Sequence, residues 1–110
     1  MMWFVRGWNM VTPRTTADIL QTLTRHESAL RALGVQRLAL FGSAARGELR
    51  ESSDLDFVVE FERKSFDAYM DLKAFLEELF GRRVDLVIAD AIKPRLRAAI
   101  LGEAVHAPGL

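Results

Sequence analysis

Two aspartates flank a leucine at the start of an otherwise apolar run, Asp54 to Phe61 (DLDFVVEF). In an extended strand a two-residue step returns to the same face, with Cα atoms roughly 6.5–7 Å apart. Asp54 and Asp56 therefore present their carboxylates side by side. Two anions that close repel and raise each other's proton affinity. A divalent cation relieves that repulsion, and hard carboxylate oxygens select Mg²⁺ or Mn²⁺. Alone, an Asp-x-Asp also fits the wet face of an edge strand. A third acid sharpens the pattern. Asp85 interrupts a second apolar run, Val84-Asp85-Leu86-Val87-Ile88. If that strand lies beside 54–61, Asp85 joins the same face, and three converging carboxylates are costly without a cation and useful with one.

A second group of residues precedes the acids. Gly42-Ser43 follows the apolar run Val35 to Phe41 (VQRLALF), ahead of Asp54. Glycine lets a ligand or a neighbouring backbone approach closely. Backbone N–H groups and the Ser43 hydroxyl, placed where a helical turn would begin, suit phosphate oxygens. Gly42 and Gly47 enclose four residues, as in the phosphate loop of nucleoside triphosphatases. Glu48 stands where that motif needs lysine, so the likeness is rejected. Arg46 offers a fork of donors to a triphosphate, although read by itself it is a solvated loop arginine.

The elements that must position these residues follow from patterning over 110 residues, a length that sets a prior of one domain. Thr15 and Asp18 have capping-box spacing, and Ile19, Leu20, Leu23, Leu30 and Leu33 recur at helical intervals up to Gly34. Strands are expected over 35–41, 54–61 and 83–89. Between the last two, Ser65 caps a helix that runs to Phe80 and stops at Gly81. A final helix starts near Pro94 and ends around Gly102, leaving a short tail. The order helix, strand, strand, helix, strand, helix calls for an α/β fold, a small mixed sheet backed by helices. Residues 1–12 read as a poorly ordered extension carrying Trp3 and Trp8, and 13–110 as the domain.

Composition excludes several classes of function. Lys plus Arg equals Asp plus Glu at 15 each, so the formal net charge is zero. That argues against broad charge-driven binding to nucleic acid or anionic membrane. With no cysteine, a disulfide scaffold, a thiolate metal site and a thiol nucleophile are all absent. No apolar run approaches the ~20 residues that span a bilayer, and the N-terminal stretch lacks the marks of a signal peptide. A cytoplasmic location is expected.

Taken together, Gly42-Ser43, Ala44 to Glu48, Ser53-Asp54-Leu55-Asp56 and Val84-Asp85-Leu86-Val87 resemble the minimal nucleotidyltransferases of the polymerase-β superfamily. The likeness covers about residues 15–107, up to the closing segment Lys93-Pro94 to Ala104-Val105. It implies a polymerase-β-like core in which Asp54 and Asp56 hold two Mg²⁺ ions. Asp85 would complete the first ion's shell and help to activate the attacking hydroxyl. Gly42 and Ser43 would bind the β- and γ-phosphates of a nucleoside triphosphate, ATP by resemblance, with Arg46 as helper. The family's usual role implies an antitoxin that transfers AMP to a tyrosine of a HEPN-type ribonuclease toxin and also binds that toxin. A binding module that neutralises its toxin by occlusion alone is the rival reading, and a transferase for a small metabolite or antibiotic is a third. About one hundred residues leaves no room for the domains that grip a long nucleic acid template.

Other residues are assigned no chemistry. His26 reads as a half-buried structural histidine and His106 as a solvated tail residue. Lys93, Arg95 and Arg97 read as a solvated basic face. Glu60 shares the acid face, but the rise of the strand carries it away from Asp54 and Asp56.

Overall fold

A computed structural model describes residues 15–48 and 54–107. The expected N-terminal extension and Ser53 lie outside the described residues. Helix α1 (Thr16–Arg25) begins at a complete capping box: the Thr15 hydroxyl accepts the Asp18 N–H at 3.1 Å, and the Asp18 carboxylate accepts the Thr15 N–H at 3.2 Å. The single helix expected up to Leu33 is in fact two. At His26 the backbone leaves helical dihedrals (φ −110°, ψ 21°), and α2 (Glu27–Ala32) follows. The ring accounts for itself at this break, with Nδ1 2.9 Å from the Thr22 carbonyl and an edge-on contact with Phe75.

Strands β1 (Val35–Phe41) and β2 (Leu55–Phe61) pair antiparallel. Helix α3 (Phe66–Phe80) starts under the Ser65 hydroxyl, which accepts the Ala68 N–H, and ends at Gly81 in the left-handed conformation. Strand β3 (Val84–Ile88) then runs parallel to β2, as a crossover through a helix allows. A 3₁₀ turn (Ala89–Ala91) leads to α4 (Pro94–Glu103), which has proline in its first turn. The expected tail contains one further strand, β4 (Val105–His106), antiparallel to β1 through Ala39 and Leu40. The sheet is therefore mixed and four-stranded, in the order β3-β2-β1-β4.

Period-two alternation decides what each face does. On one face Leu38, Leu40, Leu55, Phe57, Val59 and Val84 meet Ile19, Leu23 and Leu30 from α1 and α2 and Leu72, Leu76 and Phe80 from α3. All of these are buried, and Phe57 stacks on Phe80 with ring centroids 6.1 Å apart. Each such side chain contributes roughly 1.5–3 kcal/mol by burial, so this face carries most of the stability. The opposite face is thin. Ala39, Val58, Ala89 and Ile92 form its small core, α4 has no buried residue, and Leu96 and Leu101 are exposed. The row containing Asp54, Asp56 and Asp85 opens on this lightly covered side.

Polar side chains of α3 fasten β3. Tyr69 Oη donates to the Leu86 carbonyl at 2.8 Å, and Lys73 Nζ donates to the Val84 carbonyl at 2.9 Å. Glu77 Oε2 accepts both the Val84 N–H and Lys73 Nζ at 3.0 Å. Those two partners, the Val84 N–H foremost, hold the Glu77 carboxyl below its usual range.

Candidate active site

The register of β2 sets the acid row. Asp56 lies beside Asp85 across the parallel pair and beside Phe41 across the antiparallel one. A central position between two strands leaves Asp56 half-buried, whereas Asp54, just ahead of β2, and Asp85 on β3 are exposed. Two-residue periodicity puts Asp54 on the same face as Asp56.

Gly42 closes over this row. It ends β1 with φ +75°, a left-handed conformation that favours glycine. A Cβ added there would strike Asp56 Oδ2 and would stand 3.2 Å from Asp56 Cγ and 3.3 Å from its Cβ. Glycine is thus required twice, by its dihedral angle and by the carboxylate pressed against it.

The chain then coils through residues 42–48 in hydrogen-bonded turns, Arg46 N–H to the Gly42 carbonyl at 3.2 Å and Glu48 N–H to the Ser43 carbonyl at 2.8 Å. Ala44 plugs into the main core, and the Thr16 hydroxyl donates to its carbonyl. The N-terminus of α1 therefore anchors the turn that holds half-buried Ser43.

Electrostatics single out Asp56. Its carboxyl is pushed up from 3.8 to about 6, first by burial and then by the charge of Asp85, with which it shares a hydrogen bond. Asp54 adds a smaller repulsion, and Arg46 draws the value back slightly. A proton shared between neighbouring carboxylates stands where a cation would otherwise neutralise them.

Among the described residues, no three His, Asp or Glu side chains converge into a ready-made metal site. Asp56 and Asp85 approach each other, and Asp54 acts on them through its charge. The donors of the acid row are all carboxylate oxygens, which fits Mg²⁺, an ion commonly bound by one or two carboxylates plus substrate phosphates. Asp56 and Asp85 are the two carboxylates that could share such an ion, with Asp54 beside them.

Arg46 does not point freely toward the row. Its Nε lies 3.3 Å from Glu48 Oε1, and its Nη1 lies 3.2 Å from Glu103 Oε1. The same Glu103 oxygen accepts the Gly42 N–H at 3.0 Å. Sequence reasoning missed Glu103, whose one signal was being the last acid of the final helix. The basic residues Lys93, Arg95 and Arg97 are exposed, as expected of a solvated face, and His106 lies exposed on β4.

Residues 23–106 match the family model described as a nucleotidyltransferase domain. The protein adenylyltransferase MntA of Thermococcus cleftensis is 39% identical over 94 residues, which covers 84% of this chain and 95% of that protein. A solved chain described as a proposed minimal nucleotidyltransferase superposes with a TM-score of 0.65 at 43% identity, covering 78% of this chain and 93% of that one. A Shewanella oneidensis complex, a tri-AMPylated HEPN toxin with an MNT antitoxin, matches with a TM-score of 0.60 at 20% identity. That match covers 84% of this chain and 73% of the other, and at that identity the likeness is one of fold.

Proposed function

The chain belongs to the nucleotidyltransferase domain family, and from that premise we propose that it is the antitoxin of a HEPN-type toxin, to which it transfers AMP from ATP and which it also binds. The observation that carries the catalytic half is the face shared by Asp54, Asp56 and Asp85 with Gly42 pressed against Asp56. The adenylyltransferase relative and the fold of the toxin–antitoxin complex support the donor and the partner.

Asp54, Asp56 and Asp85 would hold Mg²⁺, two ions by the resemblance of the motif. When bound, the metal polarises phosphoryl oxygens and makes a nearby hydroxyl easier to deprotonate. The remaining work falls to the chain. Gly42 and Ser43 bind the β- and γ-phosphates through a backbone N–H and a hydroxyl, and Arg46 lends charge. The acceptor hydroxyl oxygen attacks the α-phosphorus. A new P–O bond forms as the bond to the β-phosphate oxygen breaks, and pyrophosphate leaves with that electron pair. The hydroxyl proton passes to the Asp85 carboxylate, which acts as general base. Asp56, largely ionised at neutral pH given a value of about 6, keeps the row anionic.

Intact mass spectrometry of a HEPN-type partner incubated with the chain, Mg²⁺ and ATP tests this directly. Increments of AMP mass are expected with wild type and none with Asp54→Asn. A stable complex with no increment from the wild-type chain would move the function to occlusion, and no increment with no complex would reject the HEPN partner.

A further inference from the structure

Glu103, the last residue of α4, makes the most specific contact that the transfer reaction leaves without a role. It reaches across 61 residues of sequence to the turn after β1. One of its oxygens bridges a backbone N–H and a guanidinium, at 3.0 Å from Gly42 N and 3.2 Å from Arg46 Nη1. A phosphate oxygen bound by this turn would make the same pair of contacts. We infer that Glu103 is a tethered anion in the triphosphate's place, so that nucleotide binds by displacing it and its strength as a competitor sets nucleotide affinity. The inference rests on reading Gly42 and Arg46 as phosphate contacts.

The surroundings fit displacement better than permanent support. Glu48 also pairs with Arg46, but from two residues away and without touching Gly42, so it can travel with the arginine. Glu103 comes from a different element, one with no buried residue, so its side chain can swing away without opening the main core. Its side chain is 35% exposed and that of Arg46 is 47% exposed, so the pair is weak enough for a multivalent phosphate to replace. Two anions cannot share the Gly42 N–H without repulsion.

The opposite role, in which Glu103 holds Arg46 in place for the phosphates, predicts the opposite sign. Calorimetric titration with Mg-ATP and with inorganic tripolyphosphate at fixed ionic strength separates the two. Glu103→Gln should bind both probes roughly three- to tenfold more tightly, and Glu103→Ala at least as tightly as Glu103→Gln. The unliganded melting temperature of either variant should not exceed that of wild type. Equal or weaker binding by Glu103→Gln overturns the inference and leaves Glu103 a positioning residue, with the nucleotide reading intact. If neither probe binds any version of the chain, the nucleotide reading falls and this one with it. Should the variants fold poorly, the wild-type chain still decides. The Glu103 carboxyl carbon resonance should shift on saturation with tripolyphosphate, and an unmoved resonance would overturn displacement.

Discussion

Alanine at Gly42 adds one methyl group at the point where β1 runs into the acid row, and Gly47 supplies its control. Both glycines hold nearly the same left-handed dihedral, φ +75° and φ +76°, but nothing lies within 4 Å of a Cβ at Gly47. Gly47→Ala therefore isolates the backbone strain, about 1 kcal/mol, a fall of about 4–8 °C in melting temperature for a small domain. Gly42→Ala carries the same strain and drives its methyl into the Asp56 carboxylate, with Cγ at 3.2 Å and Cβ at 3.3 Å. The Asp56 Cβ is fixed to the central strand, so relief requires the carboxylate to rotate off Asp85 or β1 and β2 to part. Overpacking of this kind costs roughly 1–3 kcal/mol more, which makes the fall in melting temperature at least twice that of Gly47→Ala. A carboxylate displaced by about 1 Å lowers transfer by roughly 10²-fold, whereas Gly47→Ala stays within a few-fold of wild type. Thermal denaturation and single-turnover transfer, followed by mass, measure both quantities. Equal melting temperatures and equal rates for the two variants would refute the claim that Gly42 is required by its contact with Asp56.

Asp56→Asn should abolish transfer by more than about 10³-fold while stabilising the metal-free chain at pH 7.5, checked by melting in EDTA. The sign follows from linkage. A carboxyl raised from 3.8 to about 6 contributes stability that is fully present below the unfolded value and is lost as pH rises through about 6. Between pH 5 and 7.5 wild type should therefore lose about 1 kcal/mol relative to Asp56→Asn, after allowance for partial exposure. Mg²⁺ should raise the wild-type melting temperature at pH 7.5 and barely at pH 5, where the acid pair keeps its proton; equal shifts at both values would reject Asp56 as a metal ligand. Glu77→Ala leaves the Val84 N–H without its acceptor and should cost about 1–2 kcal/mol, read as an earlier urea midpoint with an unchanged slope.

The acid face and the main core were legible because they depend on local periodicity. The step from Asp54 to Asp56 and the alternation of Leu55, Phe57 and Val59 are strand properties that any two-residue reading recovers. Asp85 was legible given one assumption, that its strand neighbours β2, and the register Asp56–Asp85 satisfies it. The break at His26 was hidden because Ile19, Leu23 and Leu30 keep their faces across it, while the ring's bond to the Thr22 carbonyl exists only once the chain has turned. A two-residue strand is too short to show a period, so β4 read as tail. Glu103 was out of reach for another reason: its partners lie on a turn that only tertiary packing brings to it. The roles of Lys73 and Glu77 were hidden too, since nothing in their spacing reveals a neighbouring strand with backbone groups for them to bind.

Those two side chains, with Tyr69, give the sheet a direction of growth. The Val84 N–H, the Val84 carbonyl and the Leu86 carbonyl are among the groups that an incoming strand would seek on β3, and α3 has already taken these three. Strand addition is stoppered on that flank. On the other flank β4 engages β1 only at Ala39 and Leu40, with the Leu38 carbonyl accepting the Ala107 N–H. Any ribbon that extends this sheet, from a partner or from a second copy, is steered to the side bordering β4 and the end of α4. Accretion through β3 must first unfasten a helix, so the domain can recruit at one border without polymerising through both.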